Sequence, residues 1–557
     1  MTTASKKRHS HHLYLLIAIV AAGFAVRLVY LLNSAAYPNF YIPYAGLDAE
    51  HYHLLARQVA AGDLLLGPTV YFYSPSYAYF LGFFYFLFGS GVWVAHLLNL
   101  ALGTATLALM YLYTDRLFES PAVAALSTLG AALYGPFVVF DTSALKTTLG
   151  LFLLALTFFL ISRGRRKPLK RRWFPIGFVL GLAFNLIGQL GLFIVILAIW
   201  IIIAARTTVP DRSPQVKAGD RLSILVFYLL GLGCSVLPFT LRNAYVADDP
   251  VLTTSTGGIH FYIGNNPDAW GGYTRIDGIR PNPAGHFYDA RRIAEQQAGR
   301  SLAASQVSAF WRDRAYSYML TAPGDYLKLL GKKARLLVGS YEIPNNENFQ
   351  YLTQRSTLLS CLFRFGLLLP LGLSGLLLSL RCPSKPVLLY LFALTYSLAV
   401  VLTLVNWRYR LPLTLALWPF AGYFVVFNWD SLRRRRWPAL VAGLLLLAGF
   451  AALGQFEPVS EQIQRAERHS AEKKMNASAR EHQILQTLAH SAPAERGYLY
   501  YKLARLRRSQ SDVEGAIRFL EQALSENPNQ PGLQRYLSDM YRQLGWTEGV
   551  PRLLPKK

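Results

Sequence analysis

Within the stretch Asp48-Ala49-Glu50-His51-Tyr52-His53 stand two carboxylates, two imidazoles and a phenol. It follows soon after the apolar run 13–32, so these groups lie near a hydrophobic boundary, where ionisable side chains are costly and commonly functional. A carboxylate there can deprotonate a hydroxyl held within hydrogen-bond reach. Asp48 is the candidate base, with Glu50 and Tyr52 in support. An aspartate opening the amphipathic segment 49–60 also fits a helix N-cap. Capping accounts for Asp48 but not for its companions. His51 and His53 alternate, and on a helix they point apart, which argues against a shared metal.

The elements that must hold these groups are set by composition. The chain has 557 residues, of which 53% are hydrophobic and 16% charged, too much apolar surface and too little charge for a soluble fold. A net charge of +25 would point to nucleic acid in a soluble protein, but much of the Lys and Arg falls in short loops between apolar runs, where it sets membrane orientation. Nucleic acid is therefore not an expected partner. Cys234, Cys361 and Cys382 each lie in or beside an apolar run, which supports neither a disulfide framework nor a zinc site.

The apolar runs place helices at 13–32, 91–114, 120–140, 144–162, 173–188, 190–205, 222–240, 357–380, 387–405, 411–428 and 438–454. The fold class expected is an all-α polytopic membrane protein of about eleven transmembrane helices. With residues 1–12 cytoplasmic, the inner loops are 115–119, 163–172, 206–221, 381–385 and 433–436, and each carries Lys or Arg. Residues 33–90 and 241–356 then face outward as loop domains of a membrane domain spanning 13–454, and so does the tail 455–557. No nucleotide is available on that side, so a transferase there needs a donor that carries its own activation, such as a sugar on a lipid phosphate. The aromatic segment 74–89 reads as a helix lying at the outer surface. Gly257-Gly258, Gly264-Asn265-Asn266-Pro267 and Gly271-Gly272 read as turns in an ordered mixed domain, with helix resuming at 286–318 and 323–341. In the tail, Leu503, Ala516, Leu520, Ala523 and Pro528, followed by Leu537 and Tyr541, fall at tetratricopeptide spacing.

Several stretches together resemble the GT-C superfamily of integral-membrane glycosyltransferases, in the branch of protein O-mannosyltransferases and the bacterial aminoarabinose transferase. They are Arg27-Leu28-Val29-Tyr30, the motif at Asp48, Ser74-Pro75-Ser76-Tyr77, Gly258-Ile259-His260-Phe261-Tyr262-Ile263-Gly264-Asn265-Asn266-Pro267, and Arg408-Tyr409-Arg410-Leu411-Pro412. Tyr341-Glu342-Ile343-Pro344-Asn345-Asn346 also resembles a family segment.

The resemblance implies transfer of a sugar from a polyprenyl-phosphate donor to an envelope protein, lipid or glycan, with Asp48 as the general base or the organiser of the acceptor. Cations must then meet the charge that develops on the leaving phosphate. Arg27, Arg242, Arg408 and Arg410 are the candidates, guanidinium being suited to bidentate phosphate contact; Tyr409 lies between two of them. The aminoarabinose transferases carry a lysine just before the proline of the second motif, where this chain has Tyr73-Ser74-Pro75. Lys146 is the substitute on offer, and Asp141 a second acid. Snorkelling to the interface also explains an arginine such as Arg27. No metal or other cofactor is expected. The setting implied is a bacterial inner membrane, with the site and tail periplasmic and a protein partner for the repeats. The rival readings are a transporter or flippase of a lipid-linked glycan and a non-catalytic scaffold presenting helical repeats.

Overall fold

The computed structural model describes residues 3–35, 47–163, 170–204, 218–345, 347–381 and 386–455, then 477–489, 493–509, 512–528 and 531–543, with Phe40, Pro43 and Ser491. The basic stretches at 163–172, 206–221 and 381–385, Cys382 and Asn346 lie partly or wholly outside these. The chain divides into two compact units, residues 1–30 with 46–456, and residues 31–45 with 457–557. The described residues hold helices and no strand, so the segment 241–356 is helical with turns rather than mixed.

Helices lie on every stretch expected to span. They are α1 (Thr3–Ser34), α4 (Val92–Phe118), α5 (Pro121–Ala132), α6 (Gly135–Asp141), α7 (Thr147–Arg163), α8 (Trp173–Leu186), α9 (Leu190–Ala204), α10 (Ala218–Ala247), α17 (Phe365–Ser379), α18 (Val387–Leu402), α19 (Trp407–Arg433) and α20 (Trp437–Gly454). Among the described residues five helices are long and apolar enough to cross a membrane, and further apolar helices are shorter, which makes this a multi-pass membrane protein. α1 runs back into the stretch expected as a separate N-terminus. The span expected at 120–140 is two helices: Gly135 N donates to Phe363 O and Phe363 N to Leu133 O, both at 2.9 Å, and these bonds replace the helical ladder between them. α8 and α10 pack closely through glycine, a Cβ on Gly177 standing 2.0 Å from Tyr228 O.

The segments between the spans are also helical. α2 (Asp48–Ala60) and α3 (Pro75–Phe88) pack through Tyr52, Tyr77, Leu81 and Tyr85, while Phe83, Phe86, Leu87 and Phe88 are exposed. Gly82 permits the contact, since a Cβ there would stand 2.6 Å from Val59. Between α10 and α17 come α11 (Gly257–Gly264), α12 (Ala290–Ala298), α13 (Ala304–Thr321), α14 (Pro323–Val338), α15 (Phe349–Arg355) and α16 (Thr357–Ser360). The glycines expected to turn at 257–258 open α11 instead, with Gly258 pressed against the Ser308 carbonyl of α13, where a side chain has no room, while the chain does turn at 265–267. Helix does resume near 286, but Gly299 at φ +65° ends α12 and separates it from α13.

In the second unit, α21 (Ala477–Ala489), α22 (Pro493–Ser509), α23 (Val513–Glu526) and α24 (Pro531–Gln543) bury Leu503, Ala516, Leu520, Ala523, Leu537 and Tyr541.

Two buried ion pairs brace the membrane unit. Arg27 of α1 donates from Nε to Asp141 Oδ2 at 2.7 Å and from Nη1 to Gly23 O and Ala132 O, while Thr148 Oγ1 donates to Asp141 Oδ1 at 3.0 Å. Arg410 of α19 donates to Glu342 Oε2 at 2.5 Å and to the carbonyls of Gly339 and Tyr341, with its guanidinium 4.1 Å over Phe365. Removing one partner strands a charge in an apolar interior. Asp141→Asn and Glu342→Gln are each expected to destabilise the protein by about 3–5 kcal/mol. Gly103→Ala, whose Cβ would stand 2.2 Å from the Asp141 carboxyl carbon, is expected to lower the melting temperature in the same direction. Thermal unfolding in lipid nanodiscs checks all three; melting unchanged from wild type would count against the bracing role.

Candidate active site

α19 opens at Trp407, and its start is held from several sides. Asn406 caps it, accepting from Tyr409 N at 2.8 Å. Trp407 is buried against Phe140 and Phe349 with ring centroids 4.7 and 5.4 Å away. Val405 N donates to Gly271 O and Trp407 N to Ile343 O, so the segment 241–356 grips the backbone just before the helix. With Trp407 and Arg410 turned inward, Arg408 is left on another side of the helix. There its Nη1 donates to Asp48 Oδ2 at 2.8 Å, across 360 positions of sequence. The pair retains some solvent access, with side-chain exposures of 13% for Arg408 and 19% for Asp48.

Asp48 does not cap α2. Leu47 occupies the N-cap with no side-chain cap bond, which leaves the carboxylate for the site. Glu50, Tyr52 and Ala56 are the buried residues of α2. His51 lies 4.0 Å from the Tyr73 ring, and His53 Nδ1 is 2.9 Å from the Tyr85 hydroxyl. Burial lowers the His51 pKa, against the pull of Asp48 and Glu50, and lowers His53 to about 4 with help from Arg57. Burial first, then the Asp48 carboxylate, raises the Tyr73 phenol well above its ordinary range, so it stays protonated beside the base.

Lys146 lies in the turn between α6 and α7. Asn99 Nδ2 donates to Ser143 O at 2.5 Å and Leu145 O at 3.0 Å, and His96 Nδ1 lies 2.7 Å from Thr142 O, so α4 fixes the shape of that turn. The Lys146 ammonium donates to Ser74 Oγ at 2.6 Å. It therefore stands at the serine that precedes Pro75. Burial, with Arg408 adding and Asp48 opposing, lowers the Lys146 pKa to about 7. Asp48, Arg408 and Lys146 thus form one electrostatic cluster, built from α2, the start of α19 and the α6–α7 turn. It offers a carboxylate oxygen, a guanidinium and an ammonium that converts readily between charged and neutral forms.

The other residues singled out by sequence lie elsewhere. Arg27 and Asp141 bond to each other and Arg410 to Glu342, so these side chains hold the frame around the cluster rather than line it. Arg242 donates to the carbonyls of Leu65, Leu66, Gly67 and Thr69 and stacks 4.1 Å over Tyr71, shaping the first large segment. The Tyr409 carbonyl accepts from the Tyr396 hydroxyl, and the Arg408 guanidinium lies 5.5 Å from the Tyr409 ring. His260 entered the sequence reading only within the stretch 258–267, and His286 had no role in it, yet the charge of Asp48 reaches both rings and that of Lys146 and Arg408 reaches His260. Nothing in their local sequence marks either residue; only the folding of 241–356 against the start of α19 brings them in. Among the described residues no group of three or more metal-ligating side chains occurs.

Residues 73–229, which include Ser74 and Lys146 but neither Asp48 nor Arg408, match the family of dolichyl-phosphate-mannose-protein mannosyltransferases. Among solved structures, the oligosaccharyltransferase of Archaeoglobus fulgidus in its apo form is similar over 80% of this chain and 57% of that chain, at 14% identity and a TM-score of 0.44. The archaeal oligosaccharyltransferase AglB from Archaeoglobus fulgidus, in complex with an inhibitory peptide and a dolichol-phosphate, is similar over 81% of this chain and 57% of that chain, at 13% identity and a TM-score of 0.40. The chain thus spans a little over half the length of these structures. No curated protein matches. The stretch 73–229, under a third of the chain, thus resembles a family of GT-C integral-membrane glycosyltransferases.

Proposed function

We propose that this membrane glycosyltransferase moves a single hexose or pentose from a polyprenyl-phosphate carrier to a protein, lipid or glycan of the cell envelope, on the outer face of a bacterial inner membrane. The observation that carries this reading is the meeting of Asp48, Arg408 and Lys146, a base and two cations, in one partly exposed cluster. The match of 73–229 to a family that uses dolichyl-phosphate-mannose supports it.

The acceptor hydroxyl gives its proton to the Asp48 carboxylate as its oxygen bonds to C1 of the sugar. The bond from C1 to the phosphate oxygen breaks, and its electron pair stays on that oxygen, where Arg408 and Lys146 meet the developing charge. Before the donor arrives, Arg408 is bonded to Asp48. An incoming phosphate competes for the guanidinium, and the carboxylate is released towards the acceptor. Positive charge at the phosphate then comes from these side chains rather than from a divalent ion. We extend the reading to about eleven crossings with a cytoplasmic N-terminus, and to a tetratricopeptide-like tail that positions a protein partner or acceptor.

Asp48→Asn keeps the shape and removes the base. Release of free polyprenyl phosphate from polyprenyl-phospho-sugars in the presence of an envelope extract is expected to fall at least about 100-fold, with donor binding retained. Release at the wild-type rate would remove Asp48 from the chemistry.

The pH dependence of donor binding has a definite sign. A lysine whose pKa is lowered to about 7 is charged below that value and becomes neutral above it. Affinity for polyprenyl-phospho-mannose, whose phosphodiester does not titrate in this range, is expected to fall roughly tenfold between about pH 6 and about pH 8. In Lys146→Met, binding is expected to be weak and flat over that range. A wild-type affinity that is constant or rises with pH would show that Lys146 does not hold the phosphate.

A further inference from the structure

His260 and His286 meet edge to face, with ring centroids 5.4 Å apart and planes at 89°. The Tyr273 hydroxyl lies 2.7 Å from His286 Nε2 and fixes that ring. His260 is partly exposed, and among the described residues its ring nitrogens hold no hydrogen bond. Phe287, next to His286, packs on Phe72 with ring centroids 5.1 Å apart, Phe72 packs on Tyr73, and Tyr73 lies 4.0 Å from His51 of α2, which sets the pair beside the cluster. The charge of Asp48 reaches both rings. Beside His286 is a small cavity walled by Phe72, Ile259, Phe287 and Trp311, with Ser308 and Arg291 also in its lining; the Arg291 guanidinium is bonded to Glu295 and the Leu302 carbonyl. An apolar and aromatic lining with a few polar groups is the usual make-up of a small-molecule subsite.

The charge state of the pair narrows what it can bind. Burial, then the neighbouring imidazole and cations, lowers His260 to about 3 against the pull of Asp48, and burial lowers His286 to about 4. Both are neutral at working pH. A neutral imidazole offers one N–H donor and one acceptor nitrogen, a match for a hydroxyl and a poor one for an anion. The cluster already provides two cations for the phosphate, so the position next to it suits the uncharged, hydroxyl-bearing part of the same molecule.

We propose that His260 and His286, oriented by Tyr273, form the subsite that recognises the hydroxyls of the donor's sugar. This rests on the reading of the neighbouring cluster as a lipid-phosphate site, and it assigns the second large segment the part of telling one sugar donor from another.

The test compares two kinds of lipid on the full-length protein in nanodiscs: polyprenyl phosphate, and a panel of mannosyl, glucosyl, galactosyl and amino-sugar polyprenyl phosphates. Wild type is expected to prefer at least one sugar-bearing lipid over polyprenyl phosphate. His260→Phe is expected to lose about tenfold in affinity for that lipid while binding polyprenyl phosphate as wild type does. The second result also shows that the variant is folded. His260→Gln, which keeps a donor and an acceptor, is expected to recover part of the loss. Equal weakening towards both lipids, or no weakening towards the preferred one, overturns the subsite. A loss confined to the KM of a glycan acceptor, with donor affinity intact, overturns the donor assignment in favour of the acceptor. A wild type that binds every lipid equally refutes the sugar subsite and leaves the phosphate site standing; a wild type that binds none refutes both.

Discussion

The start of α19 is the point on which the site depends. Arg408 can face Asp48 only because Trp407 and Arg410, its neighbours on the helix, are locked inward by Phe140, Phe349 and Glu342. A buried ion pair such as Arg410–Glu342 adds little net stability over an apolar pair of similar volume, since desolvation offsets most of the attraction. Its effect here is on register. A helix rotated by one position would turn Arg408 away from α2, and the Glu342 carboxylate would lose its partner. The backbone bonds of Val405 to Gly271 and Trp407 to Ile343 act the same way, tying the site to the segment that precedes α17.

The second cation has a similar backing. Lys146 projects from a turn that begins where Asp141 ends α6, and Asp141 is held by Arg27 and Thr148. A fully buried pair thus stands behind each of the two cations, while the pair at the site itself, Arg408–Asp48, keeps solvent access. This arrangement suits a phosphate binder: the ion pairs of the frame are closed off from solvent, and the contact that must open is the accessible one. Arg242 adds a third support by collecting the carbonyls of 65–69 beneath Tyr71.

Much of this was legible in the sequence, and what was missed has particular causes. Asp48, Lys146 and Arg408 were identified from residue type, placement at span ends and family resemblance, and the structure brings them into one cluster. Arg27, Asp141 and Arg410 carried the same signals, because a buried arginine that braces two helices and one that meets a ligand are alike in one dimension. Only their partners separate the cases, and Glu342 was a residue whose chemistry the sequence left unread. Apolar periodicity located the helices, yet it ran straight through the break at 133–134, where Gly135-Pro136 was the available warning. At Gly257-Gly258 the same kind of signal misled, since the glycine there serves close packing against α13 rather than a turn.

In the proposed reaction Arg408 alternates between Asp48 and the donor phosphate. The affinities for polyprenyl phosphate of Asp48→Ala, Arg408→Met and the double variant, in nanodiscs, put this alternation to the test. Opposite signs are expected: Asp48→Ala binds as tightly as wild type or more tightly, because the guanidinium is released, whereas Arg408→Met and the double variant both bind at least about tenfold more weakly. Weakening by Asp48→Ala equal to that by Arg408→Met would contradict it, because the carboxylate would then be holding the phosphate site together rather than competing for its cation.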